Sequence, residues 1–516
     1  MNNTISEGLL YRLSEFVAAQ IGLHFPEQRL SDLERGIRSS LQEFGFKDTE
    51  SCIKWLLSYP LTKNQIEILA SHLTVGETYF FRDNKSFEIL ADHILPELIQ
   101  RCKSAEKSLR IWSAGCATGE EPYSIAVLLK KLIYDPGDWN ITILATDINP
   151  RFLQKASEGI YSEWSFRDTP RWVKEGYFRK TKQGRFEISP SIKKLVKFSY
   201  LNLIDDTYPS LTNNTNAMDV IFCRNVLMYF DQERQRKVIQ NLYRCLADGG
   251  QLIVSPSETS HVLFSEFRMV NLNGVIFYKK EREKARTSED LTHKDIPYHL
   301  ASENAAYFLQ PPIEYIAGQK SDVPPPQAPG EAPPLETGMQ TTELQLTPYE
   351  EALKLYKQGC YEEATDKIRF LLSNNKIGYK AVALLARVYA NRGKLSEALE
   401  WCEKAIVEDK MNPTCHYLLA TIQQEKGHIE EAVKSLRRAL YLDQKFVLAH
   451  FALGHLTRQQ GNFKEAKKHF ENALSLLTAY RQEDVLPESD GITAGRLIEI
   501  IQTIMQGENV NERKVG

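Results

Sequence analysis

The residues best suited to chemistry sit in one short string, SAGCATGEEPYSIA at 113–126, directly after the apolar run LRIWS. Ser113, Gly115, Ala117 and Gly119 take alternate positions, the pattern of a tight strand-to-helix turn whose small side chains let a ligand approach the backbone. Amide donors in such a turn favour an electron-rich group. Pro122 suits the first turn of a following helix, and Glu120 and Glu121 favour its positive end. Capping accounts for one acid; a second beside the turn can face a cationic ligand. Asp147 closes another apolar run, ITILATD, 28 residues beyond Gly119. At the end of a strand in a doubly wound sheet, an acid faces the crevice and can accept hydrogen bonds from ribose hydroxyls.

Such groups need strands and helices to hold them. Between 109 and 279, the runs LRIWS, ITILATD, LVKFSYL, DVIF, QLIVS and GVIFYKK alternate with amphipathic stretches, which predicts an α/β unit with a largely parallel, doubly wound sheet over 76–285. Asn273-Gly274 between two apolar runs predicts a hairpin, hence an antiparallel pair at one edge. Residues 1–75 read as a helical domain, because Leu30, Leu33, Ile37 and Leu41 recur at helical spacing and leave Arg35 and Arg38 on another face. The long piece 150–195 alternates around Gly184 and predicts a small inserted β-subdomain. Its Arg179, Lys180, Lys182 and Arg185 could meet acidic protein or simply be solvated.

Residues 286–344 contain SDVPPPQAPGEAPPLETG, where prolines remove donors and fix φ, so this stretch reads as a linker. Beyond it, Gly359, Gly393, Gly427 and Gly461 recur every 34 residues, and Ala364, Ala398, Ala432 and Ala466 follow at the same period. That is the tetratricopeptide period, so 345–480 reads as an all-α array and 481–516 as a tail. An array of this kind offers a concave face to a peptide or helix and seldom carries chemistry. Arg387, Asn391, Tyr417, Gln424, His455 and Arg458 are candidate groove residues, each with solvated surface as the competing reading.

Composition narrows the class. A chain of 516 residues suggests about three units. With 64 Lys and Arg against 67 Asp and Glu, nothing global draws it to nucleic acid or anionic membrane. No basic leader or spanning apolar stretch is evident, so the expectation is a cytoplasmic protein without direct membrane insertion. Eight scattered cysteines without a C-x-x-C pair argue against structural zinc and a disulfide framework.

The turn at 113–119 resembles the D/E-x-G-x-G-x-G signature of S-adenosylmethionine methyltransferases, with Ser113 replacing the acid and Ala117 a glycine. Turn and Asp147 together fit NAD and S-adenosylmethionine about equally. Further strings decide. LTVGETYFFRD at 73–83, SAGCATGEEPYSIA, ATDIN at 145–149, Asn202-Leu203 in YLNLID and IFCRNVLMYF at 221–230 occur in that order. Over residues 5–282 they resemble the CheR-type chemoreceptor methyltransferases, several of which carry a tetratricopeptide extension.

The resemblance implies methyl transfer from S-adenosylmethionine, leaving S-adenosylhomocysteine, to glutamates of a chemoreceptor's cytoplasmic helical domain, with recruitment to receptor arrays. It implies that Thr78 and Arg82 belong to the cofactor and active-site loop, and that Glu121 receives the methionine amino group. Asp147 would hold the ribose, and Gly115 would line the turn. Asn202, Leu203, Asn225 and Val226 would line the adenosine and methionine side. Arg82, Arg224 and Tyr229 would be catalytic, with Arg224 and Tyr229 toward the incoming glutamate. Many relatives carry Asn where this chain has Gly76, so that side-chain contact is absent.

Physical chemistry agrees with these roles. A glutamate, with its pKa of about 4.3, is already ionised at neutral pH, so catalysis should be mostly placement, which can supply several kcal/mol and up to roughly 7 to 11. Arg82 or Arg224 could grip one carboxylate oxygen and leave the other free, and Arg224→Ala should then lower turnover more than cofactor affinity. Two other classes stay open: a methyltransferase for a small molecule, and a non-catalytic scaffold that uses only the array, whose own partner protein is unidentified.

Overall fold

The computed structural model describes residues 5–103, 107–133, 139–204, 208–210, 213–281, 347–373, 378–489 and, with single-residue breaks, 492–505. The Pro-rich stretch 286–344 lies outside these residues.

Four helices open the chain: α1 (Glu7–Ile21), α2 (Leu30–Phe44), α3 (Thr49–Leu56) and α4 (Lys63–Leu73). They pack around Leu13, Val17, Leu33, Ile37, Ile53, Leu56 and Leu69, and Leu33 and Ile37 belong to the apolar stripe read from the sequence. A left-handed glycine, Gly22 at φ 81°, ends α1, and a Cβ there would stand 2.7 Å from Ile204 and 2.8 Å from Phe230. The bundle is thereby pressed against the sheet domain through a contact that only glycine permits.

Two further helices, α5 (Asn84–Ile89) and α6 (Leu95–Lys103), lead to the sheet. Its strands are β1 (Ser108–Ala114), β2 (Asn140–Asp147), β6 (Val196–Tyr200), β7 (Met218–Phe222), β8 (Leu246–Ile253), β9 (Arg268–Leu272) and β10 (Val275–Lys279), in the order β6-β2-β1-β7-β8-β10-β9. The first five run parallel, and β10 is antiparallel to β8 and β9. Asn273 and Gly274 both have positive φ, as a two-residue hairpin demands. Strand β1 is flanked by β2 on one side and β7 on the other, so the order reverses there and a crevice opens at the carboxyl ends. Helices α7 (Glu120–Leu132), α8 (Pro150–Glu158) and α11 (Gln232–Cys245) cover the faces. The core includes Ile111, Ile143, Val220 and Ile253 on one side and Trp112, Leu144, Ile221 and Leu252 on the other, as alternation along fully buried strands requires.

Between α8 and β6, a three-stranded sheet of β3 (Ile160–Tyr161), β5 (Phe186–Ile188) and β4 (Phe178–Lys180), with α9 (Arg171–Tyr177) and α10 (Pro190–Lys193), forms the insertion. Phe80 is completely buried against Tyr161, Phe166 and Phe178 of this insertion.

Among the described residues, eight helices build the array: α12 (Pro348–Lys357), α13 (Tyr361–Ser373), α14 (Tyr379–Asn391), α15 (Leu395–Glu408), α16 (Pro413–Glu425), α17 (Ile429–Leu442), α18 (Val447–Gln459) and α19 (Phe463–Leu477). Each periodic glycine has positive φ in the turn inside a helix pair. Three of these turns rest on the sheet domain: a Cβ on Gly359 would meet Arg244, one on Gly393 would meet Ala217, and one on Gly427 would meet Asn140. Arg110 of β1 forms a buried ion pair with Glu425. Asn140 donates to the Glu425 carbonyl at 2.7 Å, and Arg392 pairs with Asp248 at 3.1 Å. Arg110 and Asn140 lie near the amino ends of their strands, so the array is seated on the side opposite the crevice.

Candidate functional site

At the carboxyl ends of β1 and β2, the backbone turns sharply through Gly115 (φ 80°), Ala117 (φ 45°) and Gly119 (φ 94°). Gly115 and Cys116 donate their amides to the Thr146 carbonyl, and the Ala117 amide donates to Asp147 at 2.9 Å, so turn and acid form one unit. A Cβ on Gly115 would stand 2.3 Å from Val226, which explains why glycine is needed there. Asp147 also accepts from the Asn149 amide at 2.8 Å. Burial pushes its carboxyl up to about 6, opposed by the amides of Asn149, Ala117 and Ile148.

A cleft opens over this turn, lined by Gly115, Asp147, Asn202, Leu203, Asn225, Val226 and Tyr229 among the expected residues. Ile21, Leu23, Leu73, Thr74 and Val75 contribute a wall from the amino-terminal bundle. That wall was not legible from helical periodicity, which locates a buried face but not what it is buried against. Asn202 is fixed between two elements: its Nδ2 donates to the Gln20 carbonyl at 3.1 Å, and its Oδ1 accepts from Ile204 at 3.3 Å. The Tyr229 carbonyl accepts from His24, which ties the motif IFCRNVLMYF to the same bundle.

Thr78, Arg82, Glu121 and Arg224 do not line this cleft. Three of them form an adjoining polar cluster. Glu121 accepts from the Ser113 hydroxyl at 2.7 Å and from Arg224 at 3.2 Å. Burial raises its pKa, and Arg224, Ser113 and Arg82 oppose the rise. Arg224 is buried, and its guanidinium also donates to the Arg82 carbonyl at 2.7 Å and to Asp83 at 3.3 Å. It therefore ties loop to helix where the sequence reading aimed it outward at the acceptor. Arg82 is half-buried, donating to the Glu77 carbonyl at 2.7 Å. Thr78 is half-buried on the same loop.

The loop is held by the insertion and α7. Phe80 donates to the Ser165 carbonyl, the Thr169 hydroxyl donates to Phe80, and the Phe81 amide donates to the Ser124 hydroxyl. Arg167 lies over the Tyr79 ring at 3.8 Å and pairs with Glu77 at 3.3 Å. Gly76 carries the Phe152 ring where a side chain would be: a Cβ would stand 2.4 Å from its Cζ.

One organising residue escaped the sequence reading. Buried Glu258 accepts from the amides of Asn225 (2.7 Å), Val226 (2.8 Å), Met228 (3.2 Å) and Ser255 (3.1 Å). It holds Asn225, itself at positive φ, against the cleft. The signal was present as Ser255-x-x-Glu258, a capping box, but such a box names only its own short helix.

These residues fit S-adenosylmethionine. Asp147 offers acceptors to hydroxyls, and Ile148, Phe152, Leu203 and Val226 offer apolar walls. Glu121 offers a carboxylate to an amine. Among the described residues, nothing accepts from the buried Arg224 Nε–H, an orphaned donor in the cluster beside the cleft.

Fold and site together define an S-adenosylmethionine-dependent methyltransferase domain, and the family model for the "CheR methyltransferase, SAM binding domain" matches residues 76–276. The chemotaxis protein methyltransferase of Borreliella burgdorferi is 34% identical over 261 residues, covering 50% of this chain and 90% of that protein. A probable chemotaxis protein methyltransferase of Rhizobium etli is 40% identical over 193 residues, 37% of this chain and 70% of that one. Chemotaxis protein methyltransferase 1 of Pseudomonas aeruginosa is 34% identical over 217 residues, 41% and 77% of the two chains. The chain belongs to the CheR family of chemotaxis protein methyltransferases. A tetratricopeptide family model matches 417–483, and the model for "Anaphase-promoting complex, cyclosome, subunit 3" matches 371–439.

Proposed function

We propose that this enzyme methylates glutamate side chains on the cytoplasmic helical domain of a chemoreceptor. The observation that carries the reading is the division of the site into a cleft suited to a nucleoside and a half-buried arginine, Arg82, on a loop beside it. Bound S-adenosylmethionine supplies an electrophilic methyl group on a sulfonium. The chain's own residues do the positioning. Asp147 accepts from ribose hydroxyls, while Glu121, fixed by Ser113 and Arg224, receives the amine. Arg82 grips one oxygen of the incoming carboxylate and leaves the other to attack, and Tyr229 lines the approach. Because the acceptor is already ionised at neutral pH, no side chain has to remove a proton.

Arg224 acts here through Glu121 and the 82–83 backbone. Arg224→Ala therefore lowers cofactor affinity and turnover together, whereas Arg82→Ala lowers turnover with little change in cofactor affinity. Incubation with radiolabelled methyl donor and receptor fragments tests the reaction: base-labile methyl esters on receptor glutamates support it. An enzyme that labels only small molecules, or binds the cofactor and labels no receptor, overturns it.

A further inference from the structure

The inner face of the array already carries an occupant. Helices α14, α16 and α18 are the first helices of their units, and Arg387, Thr421 and His455 stand at equivalent positions on them, 34 residues apart. Arg387 belongs to the second unit, yet its guanidinium pairs with Glu488, which the chain reaches only after α19. The segment folds back on itself to get there. Leu486 donates to the Ile492 carbonyl at 2.9 Å, Ala494 to Asp484 at 2.8 Å, and Gly495 to Gln482 at 3.0 Å. Val485 and Thr493 form a bridge between the arms. The Ser489 hydroxyl lies within bonding distance of the Leu486 and Ile492 carbonyls.

Apolar side chains anchor the segment. Leu486, Ile492, Ala494, Leu497 and Ile501 are buried in the same cluster as Tyr417 and Ala420 of α16 and Leu453 of α18. Terminal units of such stacks need a polar-faced cap, and the helical residues after 493 meet that need. Capping the last unit does not require a carboxylate delivered to the second.

We infer that residues 482–489 together with 492–495 are a built-in ligand of the groove, and that the groove's external partner is a peptide presenting a carboxylate between aliphatic residues, which must displace this segment. Because the segment is tethered, a competitor faces an effective concentration on the order of millimolar. The ion pair is partly exposed, at 18% for Arg387 and 30% for Glu488, so it selects the ligand while Leu486 and Ile492 supply most of the holding. This inference is independent of the methyl-transfer reading.

The probe is a fluorescent synthetic peptide of residues 482–495, titrated into the full chain. Weak binding to the unaltered chain is expected, with at least tenfold tighter binding to the chain carrying Leu486→Asp and Glu488→Arg. Adding Arg387→Glu should remove that gain, and a peptide with Arg at position 488 should restore it. Hydrogen exchange of amides 482–489 should quicken in the double variant, with circular dichroism and cofactor titration reporting an intact fold. Equal peptide affinity for the unaltered chain and the double variant, or unchanged exchange, overturns the inference.

Discussion

If Asp147 holds the ribose as proposed, its protonation state governs cofactor affinity. Its carboxyl is pushed up to about 6 by burial, above the ordinary 3.8. The fold therefore favours the neutral form: the cost of ionising this carboxyl is borne in full above pH 6 and is relieved as the pH falls through 6 toward the ordinary 3.8. Ribose hydroxyls need the carboxylate as acceptor, so the sign for binding is opposite. Cofactor affinity should hold above pH 6 and fall by up to tenfold per pH unit below it, with proton release on binding near pH 6; calorimetry in buffers of different ionisation enthalpy measures both. Gly76 makes a second prediction. Asn there, the residue implied for many relatives, would collide with Phe152, so Gly76→Asn should weaken cofactor binding, and adding Phe152→Ala should recover part of the loss in the same titration. Glu258→Gln should cost roughly 10- to 100-fold in cofactor affinity, since hydrogen bonds to charged groups are worth roughly 1.5–3 kcal/mol each and several converge on this carboxylate. Equilibrium dialysis at pH 7.5 measures it. Gly115 and Asp147 were legible because a strand-to-helix turn is local. Glu258 was not, because its task lies 30 to 33 residues upstream.

Among elements, the insertion acts on the active-site loop. The ring of Phe80 is packed by three aromatic residues of the insertion and its amide is bonded to Ser165, so β-hairpin and loop form one rigid piece that presents Arg82. Phe80→Ala should destabilise the protein by about 3–5 kcal/mol, the usual range for a buried phenylalanine. It should also lower turnover more than cofactor affinity, checked by urea unfolding beside single-turnover methyl transfer. The alternation around Gly184 foretold the hairpin, but a period of two says only which side chains share a face. That its apolar face would close over Phe80 depends on contacts across more than 80 residues of chain.

For the molecule as a whole, the array is a docked body. Arg110 and Glu425 are buried together, with Arg110 also bonded to the Asn214 side chain at 2.6 Å and the Asn216 carbonyl at 3.1 Å. Glu425 further offsets the burial that lowers the Lys197 pKa. His455, at the position on α18 equivalent to Arg387, is held neutral, its pKa lowered to about 4 by burial and the neighbouring Lys197 and Arg458. Glu425→Ala leaves Arg110 buried without its counter-ion, a loss of about 3–5 kcal/mol for such pairs. The array should then undock, seen as a larger radius of gyration in solution scattering and a split calorimetric transition. Cofactor affinity should be unchanged, because the interface lies at the other ends of the strands.

Period and spacing were enough to announce the parallel sheet, the edge hairpin at Asn273-Gly274, the glycine turn and the four tetratricopeptide units, since each is decided by residues close in the chain or repeated along it. Only the tertiary structure decided that the amino-terminal bundle walls the cleft, that Arg224 faces inward to Glu121, and that the repeat glycines serve as a docking edge on the amino ends of the strands. Those outcomes rest on burial and charge pairing between distant segments. No local pattern encodes which distant neighbour a buried surface will meet.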